Sequence, residues 1–228
     1  MREHDLLKPA LGPTLAVLQA IGPDQLDLPT PCAELTVREL LEHMAEWAPL
    51  LAAATAAVAP ATPVDSRVAV ATQPAAASPQ PAEPAAQLAE PAAQHAQPAP
   101  QFAELASQHA ARLANALVRL AEAWSDPSAW EGTTTMGGGD PLPAAMVGGM
   151  ALGEIVLHGW DLARATGQSP VWDAEVVTFL HREVERTAEL GRQVKAYGPE
   201  VPVPETAPPL DRALGLSGRD PNWTLPAR

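Results

Sequence analysis

At 228 residues the chain is long enough for one ordinary domain with a sizeable core, or for one domain with an appendage. Its formal charge of -13 gives the Coulomb term the wrong sign for nucleic acid or for an anionic membrane surface, so neither is an expected partner. The single cysteine excludes an internal disulfide; with no apolar run of about 18 residues and no basic, apolar leader, the expectation is a cytoplasmic protein without a spanning helix.

The amino-terminal segment HDLLKPALGPTLAVLQAIGPDQL places Leu7, Leu11, Leu15 and Leu18 at helical spacing and predicts a first helix ending by Gly22-Pro23. Pro9 and Pro13 complicate it: one fits the first turn, where a missing N–H is harmless, and the other is expected to kink the helix. Cys32 follows in LPTPCAELT. Nothing adjacent in sequence would lower its pKa, so it reads as a small turn or buried residue.

In ELTVRELLEHMAEW, Thr36 and Glu39 have the spacing of a capping box and Leu35 and Leu40 sit at the staple positions around it, so a second helix enters at Thr36. Leu40, Met44, Trp47 and Leu51 mark its inner face, with His43 on the rim. From Ala59 to about Pro100 the chain turns to Ala, Pro and Gln, with Gln73, Gln80, Gln87, Gln94, Gln101 and Gln108 recurring every seventh residue. Proline in most copies excludes a coiled coil, and a flexible or polyproline-type insert is expected. The last two copies lose proline and run into an amphipathic helix with Leu105, His109, Leu113, Leu117, Leu120 and Trp124 along its seam.

Residues 126–140, DPSAWEGTTTMGGGD, predict an extended connection with β character. The Gly137-Gly138-Gly139 run lacks the spacing and the lysine of a phosphate loop. Next comes PLPAAMVGGMALGEIVLHGWDLARATGQSP, a long apolar helix expected to stop at Gly167 ahead of Pro170. Asp173 is placed to cap a further helix with Val176, Leu180, Val184 and Leu190 apolar, and a proline-punctuated tail carries a short helical piece at Leu210 to Leu216. Four principal helices with long connections predict an all-α bundle, read as one domain over 1–228 with a low-complexity insert at about 59–100.

Within the apolar helix, GEIVLHGWD carries Glu154, His158 and Asp161 within roughly 60° of one another. A buried carboxylate needs a partner. Glu and His one turn apart can both reach one cation, and spacing alone fits a metal-free Glu–His pair equally well. His43 is the other histidine on the inner rim of a helix and is the candidate third ligand. Two His and one Glu would leave coordination positions open, as catalytic zinc sites do, and a metal there would lower the pKa of a bound water or thiol. Asp161 is placed to orient the His158 ring or to act as a base, or else to solvate the helix end. Trp160 points to the opposite side and reads as core. His4, His95 and His181 read as surface residues, whereas His109 lies on an apolar seam.

Three blocks, PTPCAELTVRELLEHM, GEIVLHGWDLARATGQ and YGPEVPVPETAPPLDRALGLSGRDPNW, resemble in order the signature blocks of actinobacterial metal-binding proteins related to the amino-terminal domain of mycothiol-dependent maleylpyruvate isomerase, within the DinB-like superfamily. The resemblance implies a DinB-like four-helix bundle that binds a divalent metal, usually zinc, through His43, Glu154 and His158. It implies an enzyme in which the metal activates a low-molecular-weight thiol, typically mycothiol as cosubstrate, for isomerisation or S-transfer on an electrophilic small molecule. A non-catalytic metal- or small-molecule-binding module is the alternative. A monomer or homodimer is expected. The chain leaves no room for the isomerase's additional carboxy-terminal domain, so the resemblance does not imply maleylpyruvate as substrate, and the Gln-heptad insert replaces what is usually a shorter connection.

Overall fold

The computed structural model describes residues 2–32, 35–60 and 99–226, and for 99–109 the backbone alone. The Gln-heptad insert from 61 to 98, His95 and the side chain of His109 lie outside the described residues. Helix α1 (Leu7–Ala20) runs unbroken through both prolines, with Pro9 in its first turn. Thr14 and Val17 join Leu7, Leu11 and Leu18 in the core, while Leu15 is only half-buried.

Helix α2 (Val37–Ala54) begins where the capping box places it. The Glu39 amide donates to Thr36 Oγ1 at 3.4 Å and the Thr36 amide donates to a Glu39 carboxylate oxygen at 2.8 Å. Two orphan donors of the first turn are thereby satisfied, an arrangement worth about 1 kcal/mol. Leu40, Met44 and Leu51 are buried as the periodicity requires, and Trp47 is half-buried.

Helix α3 (Ala99–Ala123) starts two residues before the last two heptads, with Pro100 in the first turn, where proline is tolerated. Leu113, Leu117, Leu120 and, just past the helix end, Trp124 are buried. The Trp124 indole N–H donates to the Leu51 carbonyl at 2.9 Å and that of Trp130 donates to the Trp124 carbonyl at 2.7 Å, so both rings bury their area without an unsatisfied donor. The connection that follows pairs β1 (Thr133–Thr134) antiparallel with β2 (Leu142–Pro143) and delivers the chain to helix α4 (Ala144–Thr166).

Helix α4 is buried on nearly every side, as expected of a helix apolar all round. It ends at Gly167, whose φ of 74° is the left-handed conformation that glycine adopts without strain. Trp160 is buried, as expected. Helices α1 and α2 each pack against both α3 and α4, which makes the four a bundle. The α1–α4 contact is close: a Cβ at Gly159 would come within 2.6 Å of Thr14 Oγ1, and that hydroxyl donates to the Ile155 carbonyl at 2.9 Å.

Outside the bundle, α5 (Ala174–Gln193) packs on α4 and on the short α6 (Pro209–Leu216). Asp173 holds the N-cap position of α5, but its side chain makes no capping hydrogen bond. Val176, Leu180 and Val184 are buried, whereas Leu190 is exposed and Ala188 and Gly191 carry the inner face at that end. Small residues are needed there because the Tyr197 ring lies against Gly191. The fold is thus all-α and DinB-like, with the two-residue strand pair as its only sheet among the described residues. Among those residues no helix is long and apolar enough to cross a membrane.

Candidate metal centre

Three of the residues singled out in the sequence meet at the α2–α4 seam. Glu154 Oε2 lies 3.6 Å from His158 Nε2 and 3.8 Å from His43 Nε2. The two imidazole rings stand edge to face with centroids 5.1 Å apart. Local structure explains the meeting: the α4 spacing puts Glu154 and His158 one turn apart, and the capped start of α2 sets the phase that brings His43 across from them.

The separations are too long for hydrogen bonds. Glu154 Oε2 is buried and has no hydrogen-bond partner among the described residues. A buried carboxylate oxygen left without a donor costs at least as much as an unsatisfied neutral group, about 1–3 kcal/mol, and more when charged. Donor atoms each about 2.0–2.2 Å from one ion stand roughly 3–4 Å apart, and both Glu154–histidine separations fall in that range. The three residues therefore fit a divalent metal: one carboxylate oxygen and two imidazole nitrogens, with ligand atoms all within 4.8 Å of one another. His43 is 32% exposed and His158 10%, so the group opens to solvent on the α2 side, where Trp47 stands 6.1 Å from the His43 ring. Burial holds the His43 pKa below its ordinary 6.5, as do the nearby His158 and Arg219; the Glu154 and Glu46 charges oppose them. The ring is accordingly neutral, the form that binds metal, to lower pH than an ordinary histidine.

Behind His158 the chemistry is different. Its Nδ1 lies 3.0 Å from Asp161 Oδ2, so Nδ1–H donates to the carboxylate and Nε2 is left with its lone pair on the Glu154 side. Asp161 is fully buried and is gripped by Arg219, whose Nε donates at 2.9 and 3.0 Å and whose Nη2 donates at 2.8 Å. Burial pushes the Asp161 carboxyl up, but the Arg219 charge and the hydrogen bonds from His158 and Arg219 outweigh it and hold it below the usual carboxylate range. Burial likewise works against the Arg219 charge, and Asp161 more than offsets it, raising the guanidinium pKa. With both oxygens occupied, Asp161 is placed to orient the His158 ring.

Sequence reasoning missed three neighbours. Arg219 lies in the third signature block, and the signal that could have found it is Asp161 itself, since a carboxylate inside an apolar helix requires a cation. Cys32, read as a bland turn residue, comes within 4.8 Å of ligand atoms of His158 and Asp161. Because Asp161 is already engaged by Arg219 and His158, that second group is a closed polar cluster and lacks the open lone pairs of the first. Tyr197 is buried, which pushes its phenol pKa up; the charge of Arg219 and a hydrogen bond with Thr187 oppose the shift, and the Glu154 charge adds to it. His4, read as a surface residue, has a side chain only 11% exposed.

The model of the mycothiol maleylpyruvate isomerase N-terminal domain family matches residues 9–163, a span that includes His43, Glu154, His158 and Asp161. Two uncharacterized proteins of Mycobacterium tuberculosis, from strains CDC 1551 / Oshkosh and ATCC 25618 / H37Rv, are each 27% identical over 215 residues, covering 90% of this chain and 90% of their own length. No solved structure matches. With the match covering more than half of the chain, including His43, Glu154 and His158, the chain belongs to the mycothiol maleylpyruvate isomerase N-terminal domain family.

Proposed function

We propose that this protein is a metal-dependent enzyme that uses a low-molecular-weight thiol such as mycothiol for isomerisation or S-transfer on an electrophilic small molecule. His43, Glu154 and His158 hold the divalent metal, and zinc suits a set of two imidazoles and one carboxylate. The observation that carries this reading is the buried Glu154 Oε2, which has no hydrogen-bond donor among the described residues and faces two histidine Nε2 atoms. A divalent metal held there would lower the pKa of a thiol or water that reaches it.

The chain's own residues do the rest. The Asp161 carboxylate accepts from His158 Nδ1, and burial keeps His43 neutral to lower pH than an ordinary histidine. The partly exposed His43 and Trp47 side marks the entrance for thiol and substrate. In S-transfer the thiol sulfur gives its electron pair to an electrophilic carbon: a C–S bond forms as that carbon's C=C π bond, or its bond to a leaving group, breaks, and the thiol proton ends on the neighbouring carbon or on the departing group. In isomerisation the same bond breaks again after rotation in the adduct, returning the thiol.

Elemental analysis of purified protein should find about one divalent metal per chain, lost in His43→Ala and in Glu154→Ala; unchanged metal in both would remove the site. Metal-loaded protein incubated with mycothiol and a panel of electrophiles should give thiol-dependent conjugates or isomers by mass spectrometry. Metal binding with no thiol-dependent product across the panel would leave a binding module in place of an enzyme.

A further inference from the structure

The residue that completes the wall behind the metal ligands comes from outside the family match. Arg219 lies beyond residue 163 and is 58 positions from Asp161, yet its guanidinium is buried and makes three close contacts with that carboxylate. We propose that Arg219 is a positioning residue of the metal centre: by pinning Asp161 it fixes the His158 ring with Nε2 turned to Glu154, and the carboxy-terminal segment thereby sets the affinity for the metal. This rests on the three-ligand reading above.

The main chain directs the guanidinium inward. Gly218 has φ of 86°, and a Cβ there would fall 2.7 Å from the Gly198 α-carbon, so the turn needs glycine both for its backbone angle and for the close approach. The Arg219 amide donates to the Leu214 carbonyl at 2.8 Å, and Nη1 donates to Ser217 Oγ at 3.2 Å. The end of α6 is tied down in turn: the Val201 amide donates to the Gly215 carbonyl at 2.9 Å and Arg192 Nη1 donates to the Leu216 carbonyl at 3.2 Å.

The guanidinium has only donors, and it occupies both Asp161 oxygens while leaving Oδ2 in reach of the ring. Without it, Asp161 would be an uncompensated carboxylate in the core and would neutralise or turn away. The ring would then lose the acceptor that selects its tautomer. A planar fork fits this task and a lysine ammonium does not reproduce it.

The test measures Zn2+ affinity by competition with a chromogenic chelator, with circular dichroism confirming that each variant is folded. Arg219→Met leaves Asp161 unpaired and is at risk of unfolding, so the double variant Asp161→Leu/Arg219→Met, which removes both charges together, is measured beside it. We expect folded forms of either to bind Zn2+ about 10–100-fold more weakly than wild type, and Arg219→Lys to lose less. Heteronuclear NMR of the imidazole nitrogens in metal-free wild type should show His158 protonated on Nδ1, a readout that a purely structural arginine would not require. Wild-type Zn2+ affinity in the folded double variant, or an Nε2–H tautomer in wild type, overturns the inference while the three-ligand reading stands. Failure of wild type itself to bind Zn2+ overturns that reading as well.

Discussion

Two carboxylates on one stripe of α4 are in opposite states. Asp161 has each oxygen taken by a donor, three contacts from Arg219 and one from His158, all within 3.0 Å. Glu154, two turns earlier, has a buried oxygen that no donor among the described residues reaches, and two imidazole nitrogens lie 3.6 and 3.8 Å from it. Among the described residues, a guanidinium pairs with Asp161, and Glu154 faces two imidazole nitrogens instead.

The contrast breaks most visibly in the stability of the metal-free protein. Asp161→Ala strands a buried guanidinium, and unfolding in urea should show a loss of about 3–5 kcal/mol. Glu154→Gln keeps the volume and supplies an amide N–H that His158 Nε2 or His43 Nε2 can accept. Its stability should match wild type within about 0.5 kcal/mol or exceed it. Equal losses for the two substitutions would mean that Glu154 is a structural partner like Asp161.

What the sequence made legible follows the range of the interactions. The Thr36–Glu39 box and the Gly167 stop depend on residues within one turn, and both stand where the spacing put them. The Glu154–His158 pair was equally local, and His43 could be added because helix phase is fixed once a helix start is known. The pairing of Asp161 with Arg219 was not legible, because it spans two helices, a long loop and a left-handed turn, and no periodicity links its ends. Leu190 is apolar like the buried Val176, Leu180 and Val184 but exposed, because at that end of α5 the Tyr197 ring lies against Gly191 and small residues carry the inner face. Seam positions describe a helix by itself, and the tertiary partner decides which of them are covered.

Added Zn2+ separates Glu154 from Asp161 further. A ligand that binds only the folded state stabilises it by about 2.7 kcal/mol when present at 100 times its dissociation constant. Zn2+ at that excess should raise the urea midpoint of wild type accordingly and leave that of Glu154→Gln almost unmoved, since a neutral amide is a poor ligand for a cation. The same shift in both proteins would place the bound ion somewhere other than between Glu154, His43 and His158.

The smallest effect is the dependence of stability on acid. Burial raises the Asp161 pKa, but Arg219 and the hydrogen bonds from His158 and Arg219 bring it below the ordinary 3.8 that the unfolded chain keeps. Above 3.8 both states are ionised and the contribution of the pair to stability is complete. As pH falls below 3.8 the unfolded chain takes up the proton first, so stability is lost until the pH passes the folded value, with a slope of at most about 1.4 kcal/mol per pH unit. In Asp161→Leu/Arg219→Met this proton uptake is absent. The difference in unfolding free energy between wild type and the double variant should therefore be constant from neutral pH down to about 4 and then move in favour of the variant. Parallel curves through the acid range would show that Asp161 is not held ionised by Arg219, and with that the contrast between a satisfied carboxylate and an open one would lose its electrostatic basis.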